Sequence, residues 1–238
     1  RSGLQIREDR FDSGTRLQSP FPQGLHDPPP AGLVPPAAPL PAAFVEPALL
    51  SDLLPRLTGP ALAAMLLLRR ATGRAEAGEL AERFARGMAV PGNGPLLWLH
   101  AASNGELQSA RALLSGLRAR RPDLRILVTT NTVTARTLAQ SFAIPGLVAR
   151  LAPIDAPGVL RRFLDAARPA ALVIVENELW PNRLAECRRR GIPVIVVGAR
   201  LSERALRRWS KLERLAARMT AAIAFLSAQD EATAARFR

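Results

Sequence analysis

Short apolar runs alternate with stretches of helical periodicity from Leu96 to the end of the chain. The apolar runs are typical of strands buried on both faces of a parallel sheet, and the stretches between them are typical of amphipathic helices. This alternation predicts an α/β fold, a Rossmann-like doubly wound parallel sheet with right-handed crossovers. The predicted strands cover residues 96–101, 126–130, 147–151, 171–175, 194–197 and 221–225, and the predicted helices cover 107–120, 132–142, 157–167, 181–190, 202–219 and 229–237.

The chain before this sheet domain, which we place at 91–238, has two different patterns. Residues 1–47 hold ten of the 21 prolines, a density that excludes helix interiors and predicts a disordered arm. Residues 48–90 form a predicted helical segment, because apolar residues recur at helical spacing over its first half. Arg69, Arg70 and Arg74 follow that apolar face. The segment therefore either lies on an anionic membrane surface or packs on the domain core.

Composition narrows the range of partners. The 238 residues carry 33 Lys and Arg against 20 Asp and Glu, and the net charge of +13 favours nucleic acid, an acidic membrane surface or a phosphorylated substrate. Cys187 is the single cysteine, which excludes an intrachain disulfide framework and a cysteine metal cluster. It falls in a predicted helix, where a core position is expected.

The strongest chemical signal follows the strand predicted over 171–175. Glu176 and Glu178 come directly after this apolar run, and Trp180 and Pro181 follow them. Pro181 suits the first turn of a helix, so the carboxylates belong to the carboxyl end of the strand, where open α/β sheets bind ligands. Either carboxylate alone would be interpreted as a helix cap, whereas two beside a tryptophan indicate a site.

A further carboxylate lies at the first strand–helix junction. Ser103, Asn104, Gly105 and Glu106 follow the strand that carries His100. Ser103 or Asn104 can cap the next helix, whose first N–H groups form an anion site. Glu106 can act as a general base on a hydroxyl, or it can simply favour the helix dipole from the first turn.

Two more junctions bring polar groups to the same edge. The second strand ends in Thr129, Thr130, Asn131 and Thr132, whose hydroxyls and amide suit either a polyhydroxy ligand or the cap of the next helix, and capping is expected for at least one of them. Arg200 follows the strand predicted over 194–197 and presents donors that can clamp a phosphate or a carboxylate. The basic stripe along the helix predicted over 202–219 is first interpreted as a solvated face.

Taken in chain order, these junctions resemble the amino-terminal domain of the bacterial 3-deoxy-D-manno-octulosonic acid (Kdo) transferases that act on lipid A. The resemblance spans about residues 48–238 and rests on four motifs. These are segment 97–106, which ends in Ser-Asn-Gly-Glu, the Thr-Thr-Asn-Thr of 129–132, the Glu-Asn-Glu-Leu-Trp-Pro-Asn of 176–182 and the Ala-Arg-Leu-Ser of 199–202. It implies the amino-terminal half of a two-domain GT-B-type glycosyltransferase.

The same resemblance implies roles for the site residues. Glu106 takes the place of the general base and Glu176 that of a carboxylate that supports the transition state, with no metal and no cofactor. The residues at the same edge expected to bind the acceptor are Ser103, Asn104, Gly105, Thr130, Glu178 and Arg200, and of these Glu178 is expected to have a mainly structural part.

It also implies partners and a location. The acceptor is a lipid A-type molecule at the cytoplasmic face of the bacterial inner membrane, whose anionic surface the protein meets as a peripheral or weakly anchored protein. The donor CMP-Kdo binds through a carboxyl-terminal half that this chain lacks, so the isolated chain is expected to be inactive, and no nucleic acid is expected. The residues leave one alternative open, a non-catalytic stand-alone module that binds anionic glycolipid or nucleic acid.

Overall fold

The predicted strands form a single sheet in the computed structural model, which describes residues 33–34, 60–61, 63–68, 70–73, 78–176 and 178–237. The described strands are β1 (Leu33–Val34), β2 (Leu96–His100), β3 (Arg125–Thr130), β4 (Leu147–Leu151), β5 (Ala171–Val175), β6 (Val194–Ala199) and β7 (Ile223–Ala228). Their order in the sheet is β1-β7-β6-β5-β2-β3-β4. The strands β2 to β7 are all parallel to one another, and β1 pairs antiparallel with β7.

Helices cover both faces of this sheet. They are α1 (Glu79–Arg83), α2 (Asn104–Arg120), α3 (Val133–Ser141), α4 (Pro157–Ala167), α5 (Pro181–Arg189), α6 (Glu203–Trp209), α7 (Glu213–Thr220) and α8 (Glu231–Phe237). On one face, Leu99 and Val128 belong to a core cluster with residues of α2 and α3. On the other, Trp98 and Ile174 belong to a cluster with residues of α4, α5, α7 and α8. Burial on both faces explains the continuous apolar runs, and the predicted doubly wound parallel α/β sheet is confirmed.

The single helix predicted over 202–219 is wrong, because the chain turns in its middle. Helix α6 gives way to a 3-10 turn at Ser210–Leu212 before α7 begins. The Ser210 hydroxyl donates to the carbonyl of Arg207 at 3.1 Å, a local bond that competes with the helical ladder. Leu212 then leaves helical geometry, with φ −128° and ψ 44°. The basic residues remain exposed, as the solvated-face interpretation predicts, and they are Arg204, Arg207, Arg208, Lys211, Arg214 and Arg218.

The structure also differs in detail from the prediction at strand β7 and in the arm before the sheet. Strand β7 starts two residues later than expected, because the amide of Ala221 still donates to Ala217 at the end of α7. Leu33 and Val34 fall in the arm predicted over 1–47 to be extended and largely disordered, and they pair with β7. Without that pairing β7 would be an open edge strand. The rest of the arm, and residues 48–59 of the helical segment, lie outside the described residues.

The helical segment before the sheet both packs on the domain core and exposes apolar side chains. Residues 60–61, 63–68 and 70–71 are helical. Leu66 is buried in the core, whereas Met65, Leu67 and Leu68 are 48%, 55% and 66% exposed. One apolar residue therefore packs on the domain while three neighbours face outward. Within the described residues, none of the helices has the length and apolar character needed to span a bilayer.

Helix α1 fastens the following part of the chain to the carboxyl ends of β3 and β4. The Glu82 carboxylate accepts from the backbone N–H of Leu151 at 2.7 Å and from Arg136 at 3.0 Å. Arg83 donates to the carbonyl of Asn131 at 2.6 Å and to that of Ala152 at 3.3 Å. These contacts place α1 beside the edge of the sheet where the predicted site lies.

Candidate active site

The junctions predicted to carry chemistry meet at the carboxyl edge of the sheet. Strand β2 lies between β3 and β5 in the strand order. The turn that leads to Glu106 is therefore flanked by the segment after Thr130 on one side and by Glu176 and Glu178 on the other. Arg200 follows β6, one strand further along.

Glu106 is held by the turn that begins α2. Ser103 is the N-cap of this helix, and its hydroxyl accepts from the N–H of Glu106 at 3.3 Å. The Glu106 carboxylate reaches back to accept from the N–H of Ala102 at 2.7 Å and from the Ser103 hydroxyl at 3.2 Å. This is a capping box whose acidic member reaches one residue further than usual. In this geometry Glu106 lies in the first turn of α2, where it favours the helix dipole. It also lies at the carboxyl edge of the sheet, where ligands are expected.

The environment of Glu106 also favours its protonated form. Burial raises its pKa above the usual 4.5, the hydrogen bonds from Ala102 and Ser103 oppose this, and the charges of Glu176 and Glu178 add to the rise. Glu176 and Glu178 therefore lie within electrostatic range of Glu106. A carboxylate whose pKa is displaced toward neutrality is the better general base for a hydroxyl.

Glu176 ends β5 in an unusual backbone conformation. Its φ is +59°, in the left-handed region that non-glycine residues seldom occupy. The N–H of Glu176 still donates to the carbonyl of Val197 at 2.9 Å, so the turn starts within the last pair of the β5–β6 ladder. This conformation redirects the chain at the point where β5 ends.

Glu178 is the most constrained carboxylate at this edge. Its Oε2 accepts from the indole N–H of Trp180 at 2.6 Å and from the amide of Asn131 at 2.9 Å, and it lies 3.7 Å from Nε2 of His100. Burial would raise the pKa of Glu178, but the interactions with His100, Trp180 and Asn131 outweigh it and lower the pKa to about 2. Glu178 is therefore ionised at any physiological pH.

A buried polar chain lies beneath Glu178 and was only partly foreseen. His100 is fully buried, as expected of a core histidine, and its Nδ1 lies 3.0 Å from the hydroxyl of Thr129. The same hydroxyl accepts from the indole N–H of Trp98 at 2.8 Å. Burial, reinforced by the charge of Arg183, lowers the pKa of His100 to about 4. Trp98 and His100 lie two residues apart on β2, a spacing that puts both on one face, but their partner on β3 required the strand register.

Asp155 anchors the helix that follows the carboxylates, and sequence reasoning missed it. Trp180, the N-cap of α5, makes no side-chain capping bond. Instead, the carboxylate of Asp155 accepts from the backbone N–H of Asn182 at 3.0 Å and from that of Arg183 at 2.8 Å. Burial raises the pKa of Asp155, against the opposing charge of Arg183. No local pattern reveals a cap that comes from another loop.

The structure places the other predicted site residues as follows. Asn104 and Gly105 are exposed in the first turn of α2. Thr130 is buried, and its hydroxyl donates to the carbonyl of Thr132 at 3.1 Å, while Thr132 is the cap of α3. The capping alternative is thereby confirmed for Thr132. Arg200 is exposed and its charge acts on Asp230 at the start of α8. Ligand binding by these residues stays a prediction.

Cys187 lies buried in α5, as predicted, and burial raises the pKa of its thiol to about 12. Among the described residues, no group of three or more His, Cys, Asp or Glu is placed to hold a metal ion.

Known proteins similar to this chain are Kdo transferases. A probable mitochondrial 3-deoxy-D-manno-octulosonic acid transferase of Arabidopsis thaliana is 37% identical over 142 residues, which are 60% of this chain and 32% of that protein. The 3-deoxy-D-manno-octulosonic acid transferase of Haemophilus influenzae is 31% identical, and the match covers 59% of this chain and 33% of that protein. The enzyme of the same name from Bordetella pertussis is 38% identical, and the match covers 47% of this chain and 27% of that protein. Among solved structures, the S. aureus MnaA-UDP co-structure has a TM-score of 0.34 at 12% identity, covering 63% of this chain and 44% of that one.

The matching family model defines the class of the chain as a domain of a transferase family. The family described as 3-Deoxy-D-manno-octulosonic-acid transferase (kdotransferase) matches residues 78–238, and the chain belongs to this family. The resemblance inferred from the four motifs is thus confirmed. The chain spans about a third of the length of the first two relatives.

Proposed function

We propose that the complete protein transfers Kdo from CMP-Kdo to a lipid A-type acceptor in lipopolysaccharide biosynthesis, and that this chain forms the acceptor side of the active site. The observation that carries the proposal is the setting of Glu106. It stands at the ligand edge of the sheet, held by Ala102 and Ser103, with two further carboxylates in electrostatic range. The names of the related proteins supply the donor sugar, because they are Kdo transferases.

The proposed reaction uses Glu106 as the base. Its carboxylate takes the proton of an acceptor hydroxyl while the hydroxyl oxygen forms a bond to the anomeric carbon of Kdo. The bond between that carbon and the phosphate oxygen of CMP breaks, and its electron pair leaves with CMP. Glu176, at the end of the neighbouring strand, is proposed to support the positive charge that develops on the sugar. A second domain in the GT-B arrangement would bring the donor to this edge.

The first test separates the two halves of the proposed active site. Residues 1–238 alone should show no detectable Kdo transfer, since an edge open on one side positions the two reactants poorly. The carboxyl-terminal half of the complete protein, added in trans, should restore CMP release. Turnover by residues 1–238 alone would contradict this arrangement. Binding of nucleic acid but not of glycolipid would instead favour the non-catalytic module.

We propose a peripheral position at an anionic membrane surface, with the helical segment as the contact. Met65, Leu67 and Leu68 are all exposed on this segment, and Arg70 follows them. An outward apolar patch next to positive charge suits insertion at the level of lipid head groups. The net charge of +13 supports the same partner. The cytoplasmic face of the bacterial inner membrane is the corresponding location.

Vesicle binding tests this contact. The chain should bind anionic vesicles in a salt-sensitive manner, and Leu67→Ser with Leu68→Ser should weaken the binding by about tenfold or more, because two large apolar side chains are lost from the interface. Leu206→Ser is the matched control, since Leu206 is also an exposed leucine but lies on α6. Deleting residues 1–47 should change binding little. Equal binding to neutral and anionic vesicles would exclude the electrostatic part of the proposal.

A further inference from the structure

We propose that Glu178 orients the acceptor hydroxyl for Glu106, and that His100 is the positioning residue that keeps Glu178 in place through a buried chain from Trp98 and Thr129. This inference rests on the proposed function for its substrate. The arrangement of the chain itself can be tested without any substrate. It assigns different tasks to two carboxylates that share one edge of the sheet.

The two oxygens of the Glu178 carboxylate have different surroundings. Trp180 and Asn131 donate to Oε2, and His100 faces the same oxygen at 3.7 Å. Within the described part of the chain, Oε1 makes no hydrogen bond, and the side chain is 27% exposed. One oxygen is therefore committed to the protein while the other is presented at the ligand edge.

The hydroxyl of Thr129 determines which nitrogen of His100 carries the proton. This hydroxyl already accepts from Trp98 and lies 3.0 Å from Nδ1 of His100, so in the proposed arrangement it directs its own proton to Nδ1. A neutral imidazole that accepts at Nδ1 carries its proton on Nε2, the nitrogen that faces Glu178. Among the described groups none lies within hydrogen-bond distance of this nitrogen, and the Glu178 carboxylate, 3.7 Å away, faces it. His100 thus presents an N–H to the carboxylate without adding a positive charge.

Burial first, and then the charge of Arg183, explain why His100 stays neutral despite its acidic neighbour. The guanidinium of Arg183 is fully buried and stacks over the ring of Trp98, 5.5 Å from its centroid. Its charge opposes protonation of His100, while the charges of Asp155 and Glu178 stabilise the guanidinium. Among these buried side chains, the positive charge is therefore on Arg183 and not on His100. Glu178 remains ionised next to it.

An ionised carboxylate that is held in one orientation favours ligand groups that donate a hydrogen bond. Oε1 of Glu178 can accept only from a donor, so it suits a sugar hydroxyl and repels a phosphate or carboxylate. Glu106 and Glu176 add negative charge to the same edge. The ligand class at this edge is therefore a neutral polyol portion of the acceptor, and anionic groups of the acceptor must lie elsewhere on the basic surface.

The first experiment tests the buried chain by NMR of histidine in residues 1–238. The chain holds two histidines, so His26→Gln leaves the signal of His100 alone. The expected result is a neutral ring with the proton on Nε2 at pH 7 and no titration until about pH 4. Thr129→Val should move part of the population to the Nδ1–H form. A ring that is protonated on Nδ1 in the unchanged protein, or that titrates near 6.5, would overturn the assignment.

The second experiment measures acceptor kinetics in the complete protein. Glu178→Gln should raise KM for the acceptor about tenfold and change kcat much less, because it weakens one hydrogen bond to a charged group. Thr129→Val should raise KM less, and should have no further effect in the Glu178→Gln background. Thr137→Val on the exposed side of α3 is the control, with unchanged KM.

The outcomes distinguish this inference from the proposed function. Absence of transfer by the unchanged complete protein would refute the proposed function. Transfer that proceeds with an unchanged KM in Glu178→Gln would refute only the orienting role. Fully additive effects of Thr129→Val and Glu178→Gln would show that Thr129 acts on stability rather than through Glu178.

Discussion

Glu106→Gln is expected to lower kcat of the complete protein by about two orders of magnitude or more, with little change in stability. Glutamine has nearly the same shape and can still accept from Ala102, so the capping box at the start of α2 is retained. It has no basic oxygen that can take the proton of the acceptor hydroxyl. Because the fold is preserved, the loss of rate reports on the chemistry alone.

Steady-state kinetics with a matched control test this expectation. Glu203→Gln is the control, because Glu203 also lies in the first turn of a helix but is 69% exposed, and it should leave kcat unchanged. The acid limb of the rate profile should have its midpoint above 4.5, since the pKa of Glu106 is raised and the protonated form cannot act as a base. Near-normal transfer by a folded Glu106→Gln protein would remove Glu106 from the mechanism.

Asp155→Ala is expected to reduce the free energy of unfolding by about 3–5 kcal/mol. The substitution leaves the N–H groups of Asn182 and Arg183 without their acceptor at the start of α5. It also removes a negative charge that stabilises the buried guanidinium of Arg183. An uncompensated buried cation is costly, because the protein interior cannot replace the water that it has lost.

Denaturant unfolding, followed by circular dichroism, measures this effect. Asp165→Ala is the comparison, since Asp165 also pairs with an arginine but is 69% exposed, and its loss should cost less than about 1 kcal/mol. Equal losses for the two variants would show that Asp155 does not anchor α5. The Asp155 variant should also lose transfer activity in the complete protein, because α5 holds Trp180 and, through it, Glu178.

The sequence by itself determined the elements and the edge at which the site lies. The bounds predicted for α4 and β5 agree with the structure to the residue, because a strand buried on both faces must be apolar throughout and Pro157 marks the start of its helix. The positions of Glu106 and Glu178 followed from the same reasoning, since every residue after a parallel strand comes to one edge. Where local chemistry competes with periodicity, as at Ser210, the prediction was wrong.

Only the tertiary structure decided which of these groups meet. Strand order is not written in any local pattern, and here the chain crosses back from the edge strand β4 to place β5 beside β2. That crossing brings Asp155 to the start of α5, and the register of β2 with β3 sets His100 opposite Thr129. Ionisation follows from these contacts. Burial outweighs the hydrogen bonds at Glu106 and raises its pKa, whereas the interactions with His100, Trp180 and Asn131 outweigh burial at Glu178 and lower its pKa, although both are the same residue type.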